Sequence, residues 1–96
     1  MEKLSQEQVQ QEIKNLNDWI VEDGFITKTY TFSNFKEAFA FMTRVAFEAE
    51  IQNHHPNWEN VYNRVKIALH THDAGGITNK DIGLAKTIDA ITLTES

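Results

Sequence analysis

The sequence predicts an α+β fold of ββαββα order: an antiparallel sheet with helices packed on one face, preceded by a short N-terminal helix. Three features point to it. Asp23-Gly24 sits between two β-rich runs, two long segments carry apolar residues at helical spacing, and residues 58–71 change to a two-fold pattern. With 96 residues, a single domain spanning 1–96 is expected.

Ser5-Gln6-Glu7-Gln8 reads as a capping box, with Ser5 as N-cap and Gln8 reaching back. Leu4 and Val9 fit the hydrophobic staple that accompanies such a box. A helix over residues 6–16 would place Val9, Ile13 and Leu16 on one face. Trp19-Ile20-Val21-Glu22 and Phe25-Ile26-Thr27-Lys28-Thr29-Tyr30-Thr31-Phe32 then flank Asp23-Gly24. Gly supplies the positive φ of a tight primed turn, so these runs form a hairpin. In the second run Ile26, Lys28, Tyr30 and Phe32 point one way and the threonines the other.

Ser33-Asn34 offers the N-cap of a long helix reaching about Gln52, with Glu37 in its first turn. Phe35, Ala38, Phe39, Met42, Val45, Ala46 and Ala49 form an apolar stripe. Ala40, Phe47 and Ile51 fall on another face. They are either ordinary surface apolars or a subunit contact. Pro56 ends the helical region, because the residue before proline is pushed out of the α conformation. In residues 58–71, Val61, Val65, Ile67 and Leu69 make one face, with Asn63 the exception and a possible bend. Tyr62, Arg64, Lys66, Ala68, His70 and His72 make the other. Asp73-Ala74-Gly75-Gly76 reads as a loop. Thr78 caps the last helix, with Asp81 three residues on, an Ile77–Ile82 staple, and Ile82, Ala85, Ile88 and Ile91 facing inward.

Composition excludes several classes. The net charge is −5 and the basic residues are scattered, so direct binding to nucleic acid, which rests on clustered cations, is not expected. There is no cysteine, hence no disulfide, thiolate nucleophile or Cys-type zinc site. The opening residues lack the apolar run of a signal peptide and no stretch approaches a membrane span, so a cytoplasmic, membrane-free protein is expected.

All four histidines, His54, His55, His70 and His72, lie within one nineteen-residue window. Imidazole alone among side chains both gives and takes protons near neutral pH at its unperturbed pKa. The cluster therefore suggests proton transfer or a metal site. His54, His55 and His72 with a carboxylate would suit zinc by ligand type, although the HExxH pattern is absent. Asp81 has a structural role available as part of a capping box, and Glu50 as a solvent-facing residue.

Glu50, three residues, His54-His55-Pro56, five residues, Tyr62, nine residues, His72, eight residues, Asp81: this pattern resembles the signature of the pterin-4a-carbinolamine dehydratases. Phe41-Met42-Thr43-Arg44-Val45-Ala46, Pro56-Asn57-Trp58, Asn60-Val61-Tyr62-Asn63 and Thr71-His72-Asp73 extend the likeness over residues 16–91. The resemblance implies a metal-free and cofactor-free hydro-lyase. Its reaction takes water from 4a-hydroxytetrahydrobiopterin to give quinonoid dihydropterin, recycling the cofactor of aromatic hydroxylation. It implies a small-molecule pterin substrate bound by Asn53, His54, His55, His70, Thr71, His72 and Asp73. The catalytic set would be His54, His55 and His72, with His54 and His72 the acid–base pair and His55 mainly holding substrate. Glu50 and Asp81 would tune or orient the histidines from behind. In animal members the positions of His70 and Asp73 are often Ser and Glu. The same family supplies a dimerisation cofactor of a homeodomain transcription factor, so the alternative is a protein-binding module with incidental catalysis. Either way a homodimer or homotetramer is expected.

Overall fold

The computed structural model describes residues 2–95, with side chains to residue 92. The elements run α1 (Gln6–Ile13), β1 (Ile20–Glu22), β2 (Phe25–Thr31), α2 (Phe35–Gln52), β3 (Asn57–Val61), β4 (Arg64–Leu69), a 3-10 turn (His72–Ala74) and α3 (Asn79–Glu95). The α+β order is the expected one. The four strands form one antiparallel sheet in the order β1-β2-β4-β3.

The capping box of α1 is present in both halves, Gln8 N–H to Ser5 Oγ at 3.1 Å and Ser5 N–H to Gln8 Oε1 at 2.8 Å. The helix ends at Ile13, short of the expected 16. Asn15 and Leu16 donate to carbonyls three residues back, and this tighter turn still delivers Leu16 to the core. The β1–β2 turn places both Asp23 (φ 52°) and Gly24 (φ 83°) in the left-handed region, as a primed hairpin requires.

The inner face of the sheet offers Ile26, Tyr30, Val65, Ile67 and Leu69 to α2 and α3. Phe41 lies against the Tyr30 and Phe32 rings at 4.9 Å, and Ala38, Val45 and Ala49 complete the buried face of α2. This corrects the expected stripe. Phe35, Phe39 and Ala46 are exposed, and Phe41 takes the central place. The helix is apolar on most of its circumference, so periodicity alone leaves its rotation loose; the stacked aromatic rings of β2 set it.

Val61 is also corrected. Tyr62 and Asn63 form a two-residue turn, so Val61 pairs with Arg64 and lies on the outer face, exposed. Tyr62 adopts φ 52°, a costly conformation for a bulky residue. The Asn60 amide braces the turn by donating to the carbonyls of Tyr62 (3.0 Å) and Arg64 (2.8 Å). Thr27 faces outward yet is buried. The Lys66–Glu22 ion pair joins residues that pair with β2 at Thr29 and Phe25, so it spans the site of Thr27 between them. No helix among the described residues is long and apolar enough to cross a membrane.

Candidate active site

Three chain segments converge near the N-terminus of α3. The first is the end of α2. Asn53 takes the left-handed conformation (φ 52°, ψ 44°), and its N–H bonds the carbonyls of Ala49 and Glu50. The His54 N–H returns to Ala49 O at 3.0 Å. This is the Schellman pattern, in which a left-handed residue reverses the chain and satisfies the last carbonyls of the helix. Asn tolerates that conformation better than most non-glycine residues. The reversal carries His54 inward, so that it is 8% exposed and its Nε2 lies 2.5 Å from Asp81 Oδ1.

The second segment is the start of α3. Thr78 caps the helix, its Oγ1 accepting from Lys80 N–H at 3.2 Å, while Asp81 Oδ2 accepts from Thr78 N–H at 2.8 Å. Asp81 is fully buried. It sits where the helix dipole favours an anion, and its second oxygen remains available to His54.

The third is the end of β4. Thr71 Oγ1 donates to Asp81 Oδ2 at 2.9 Å and lies 2.7 Å from Thr78 Oγ1. Beyond it the segment expected as a plain loop closes into a 3-10 turn. Gly75 turns at φ 71°, and Thr71 bridges Gly76. His72 and Asp73 stand on that turn, both exposed, and the His72 ring is free of hydrogen bonds among the described residues.

The sequence-predicted residues thus divide. His54, Asp81 and Thr71 meet in one hydrogen-bonded cluster, and His72 follows Thr71 directly. His55 is turned to the surface, where its Nε2 lies 2.5 Å from Glu50 Oε2 and both side chains are mostly exposed. Asn53 is exposed beside it. His70 is not brought to the cluster. Its Nδ1–H donates to Gly24 O at 3.2 Å, and its ring lies on Phe25 at 4.6 Å. Alternation along β4 puts it on the outer face with Arg64, Lys66 and Ala68. Thr78 is the member that sequence reasoning placed only as a helix cap. The Thr78-x-x-Asp81 spacing was its one visible signal.

An open groove of about 890 Å³ runs between α1, the β1–β2 turn and Gly75-Gly76, lined in part by Lys3, Lys14, Val21 and Ile77; neither His54 nor Asp81 lines it. No group of three or more His, Asp or Glu side chains among the described residues is gathered closely enough to hold a metal ion.

The family profile described as pterin 4 alpha carbinolamine dehydratase matches residues 2–91. The chain belongs to this family. The resemblance drawn from Glu50, the His54-His55-Pro56 run, Tyr62, His72 and Asp81 is therefore borne out. A Christiangramia forsetii protein provisionally named a pterin-4-alpha-carbinolamine dehydratase is 52% identical over 91 residues, covering 95% of this chain and 94% of that protein. A similarly named Bradyrhizobium protein is 50% identical over 93 residues, covering 95% and 93%. Among solved structures, a transcriptional coactivator/pterin dehydratase from Brucella melitensis superposes with a TM-score of 0.90 at 37% identity, covering 93% of this chain and 97% of that one. A pterin dehydratase-like RuBisCO assembly factor of the alpha-carboxysome gives a TM-score of 0.63 at 21% identity, covering 79% and 88%. It shares the dehydratase fold, and that likeness extends to the fold alone.

Proposed function

We propose that this member of the dehydratase family is a hydro-lyase that removes water from a 4a-hydroxytetrahydropterin, within the recycling of tetrahydrobiopterin. The C4a–O bond breaks, the departing oxygen takes a proton, and N5 gives one up. The products are water and the quinonoid dihydropterin, with no net change in proton count. Two groups of opposite starting protonation are needed, and His54 and His72 fill those places. His55, held against Glu50, and the polar side chains of Asn53 and Asp73 orient the pterin ring. Asp81 holds the His54 ring in place. Imidazoles perform both transfers without a metal.

The observation that carries this reading is the His54–Asp81 pair: a buried imidazole 2.5 Å from a fully buried carboxylate, next to the turn that bears His72. A positioned proton-transfer group is typically worth about 10²–10⁴-fold. His54→Ala and His72→Ala, each checked to be folded, are therefore expected to lose that much of the acceleration over spontaneous dehydration. Full activity in both variants would overturn the assignment.

The outer face of α2 favours a second reading. Phe47 and Ile51 are 67% and 75% exposed, and Phe39 lies nearby on the same helix, more apolar surface than a solitary helix face usually shows. On this reading the protein is a docking module whose catalysis is incidental. A pure adaptor would not accelerate dehydration, so the same assay separates the two. Self-association through this face, as a homodimer or homotetramer, is compatible with both.

A further inference from the structure

We infer that Thr71 and Thr78 are positioning residues for His54, and that His54 exchanges its proton through Nδ1. The inference rests on the proposed acid–base role of His54 and adds which atom acts and what holds it.

The direction of each hydrogen bond in the cluster follows from its chemistry. A backbone N–H only donates, so Lys80 N–H gives to Thr78 Oγ1 at 3.2 Å. A carboxylate only accepts, so the single hydroxyl proton of Thr71 goes to Asp81 Oδ2 at 2.9 Å. Thr71 then has no proton left for Thr78, and the 2.7 Å contact between them is Thr78 donating to Thr71. Asp81 Oδ2 also takes Thr78 N–H at 2.8 Å. Two donors fasten that oxygen, which fixes the plane of the carboxylate and aims Oδ1 at His54.

Asp81 Oδ1 lies 2.5 Å from His54 Nε2, which therefore carries the proton. In histidine the hydrogen bond made by one nitrogen decides the state of the other. The neutral ring thus presents its lone pair at Nδ1. That atom has no hydrogen-bond partner among the described residues, and no unpartnered polar side-chain atom there is sealed from solvent, so Nδ1 is reachable from outside. The same arrangement removes the Thr71 hydroxyl from the list of substrate contacts, because it points into the protein. On this segment His72 and Asp73 are the groups left to meet a ligand.

The test combines histidine-selective ¹⁵N NMR of the ligand-free protein with steady-state kinetics. In the wild type, neutral His54 should show a protonated Nε2 and a lone-pair Nδ1. Thr71→Val keeps the side-chain shape and deletes the hydroxyl. It is expected to give a mixture of His54 tautomers and to lower kcat by about tenfold, the effect of losing one supporting hydrogen bond of about 1.4 kcal/mol, with KM changed less than twofold. Thr71→Ser should restore both the spectrum and kcat. A wild-type His54 protonated at Nδ1 in its neutral form would overturn the inference. So would a Thr71→Val protein with wild-type kcat, or one whose defect lies in KM alone, since the hydroxyl would then be touching substrate. The spectrum needs no pterin. A clean Nε2–H signal that Thr71→Val perturbs, in a protein that does not speed dehydration, leaves the positioning network standing and defeats only the proposed activity.

Discussion

Asp89 sits in the core among three donors: Trp19 Nε1–H at 3.0 Å, Lys28 Nζ at 2.8 Å and the Tyr30 hydroxyl. Lys28 also lies over the Tyr30 ring, 4.6 Å from its centroid. Burial, then the hydrogen bond to Asp89, then the negative charge of Asp89, push the Tyr30 phenol well above its usual value of 10.0. A phenol that stays neutral in the folded chain but ionises near pH 10 when unfolded stabilises the fold fully below that pH. The contribution is lost as pH rises past it. Denaturant unfolding should therefore show a midpoint that begins to fall at about pH 10, the unfolded phenol pKa, and keeps falling above it, with a weaker fall in Tyr30→Phe. Equal slopes in the two proteins would show that Tyr30 is not responsible. None of this was legible from sequence. Alternation put Lys28 on the same face of β2 as Ile26, Tyr30 and Phe32, and the carboxylate that partners it there lies 61 residues further along. His54 and Asp81, by contrast, were legible, because the family pattern names both.

At the scale of elements, the junctions that carry local chemistry were readable and those that depend on distant packing were not. Asp23-Gly24 announced its turn, and Ser5 and Thr78 announced their caps. Tyr62 carries no turn signature; its positive φ is sustained by Asn60, a side chain on the preceding strand. The orientation of α2 needed the Tyr30 and Phe32 rings. The α2 terminus offers a test that separates backbone from side chain at Asn53. Asn53→Gly keeps the left-handed turn and deletes the carboxamide, so stability should be retained. Asn53→Ala keeps a β-carbon in that conformation and loses the polar side chain that eases it, so it should be less stable than the Gly variant by about 1–2 kcal/mol. Thermal unfolding measures the first effect, and KM for the pterin measures whether the carboxamide contacts substrate. Equal melting temperatures for the Gly and Ala variants would show that the left-handed conformation at Asn53 carries no stability cost for a residue with a β-carbon.

At the scale of the whole molecule, the outer side of α2 exposes Phe39, Phe47 and Ile51 together. Two copies of the helix crossing antiparallel about Thr43 would set Phe47 against Phe39 and bring Lys36 towards Glu50 of opposite charge. Placing a carboxylate there, as Phe47→Asp, should weaken association at least about tenfold, roughly 1.4 kcal/mol. Sedimentation equilibrium would read the change against a protomer of 11.1 kDa. A wild-type protein that sediments as a monomer would remove self-association from consideration. The sequence located this surface through Phe47 and Ile51 but misassigned Phe39 and Phe35, again because the rotation of α2 is set from beneath. The molecule also has a point where α2, β4 and α3 are tied together, the carboxylate of Asp81. On the proposed mechanism one acid there serves as both mortar and tool. An engineer hoping to harden this protein by swapping that polar knot for well-packed hydrocarbon would then forfeit the proposed chemistry in the same stroke, so on that mechanism durability and turnover cannot be bred apart at that position.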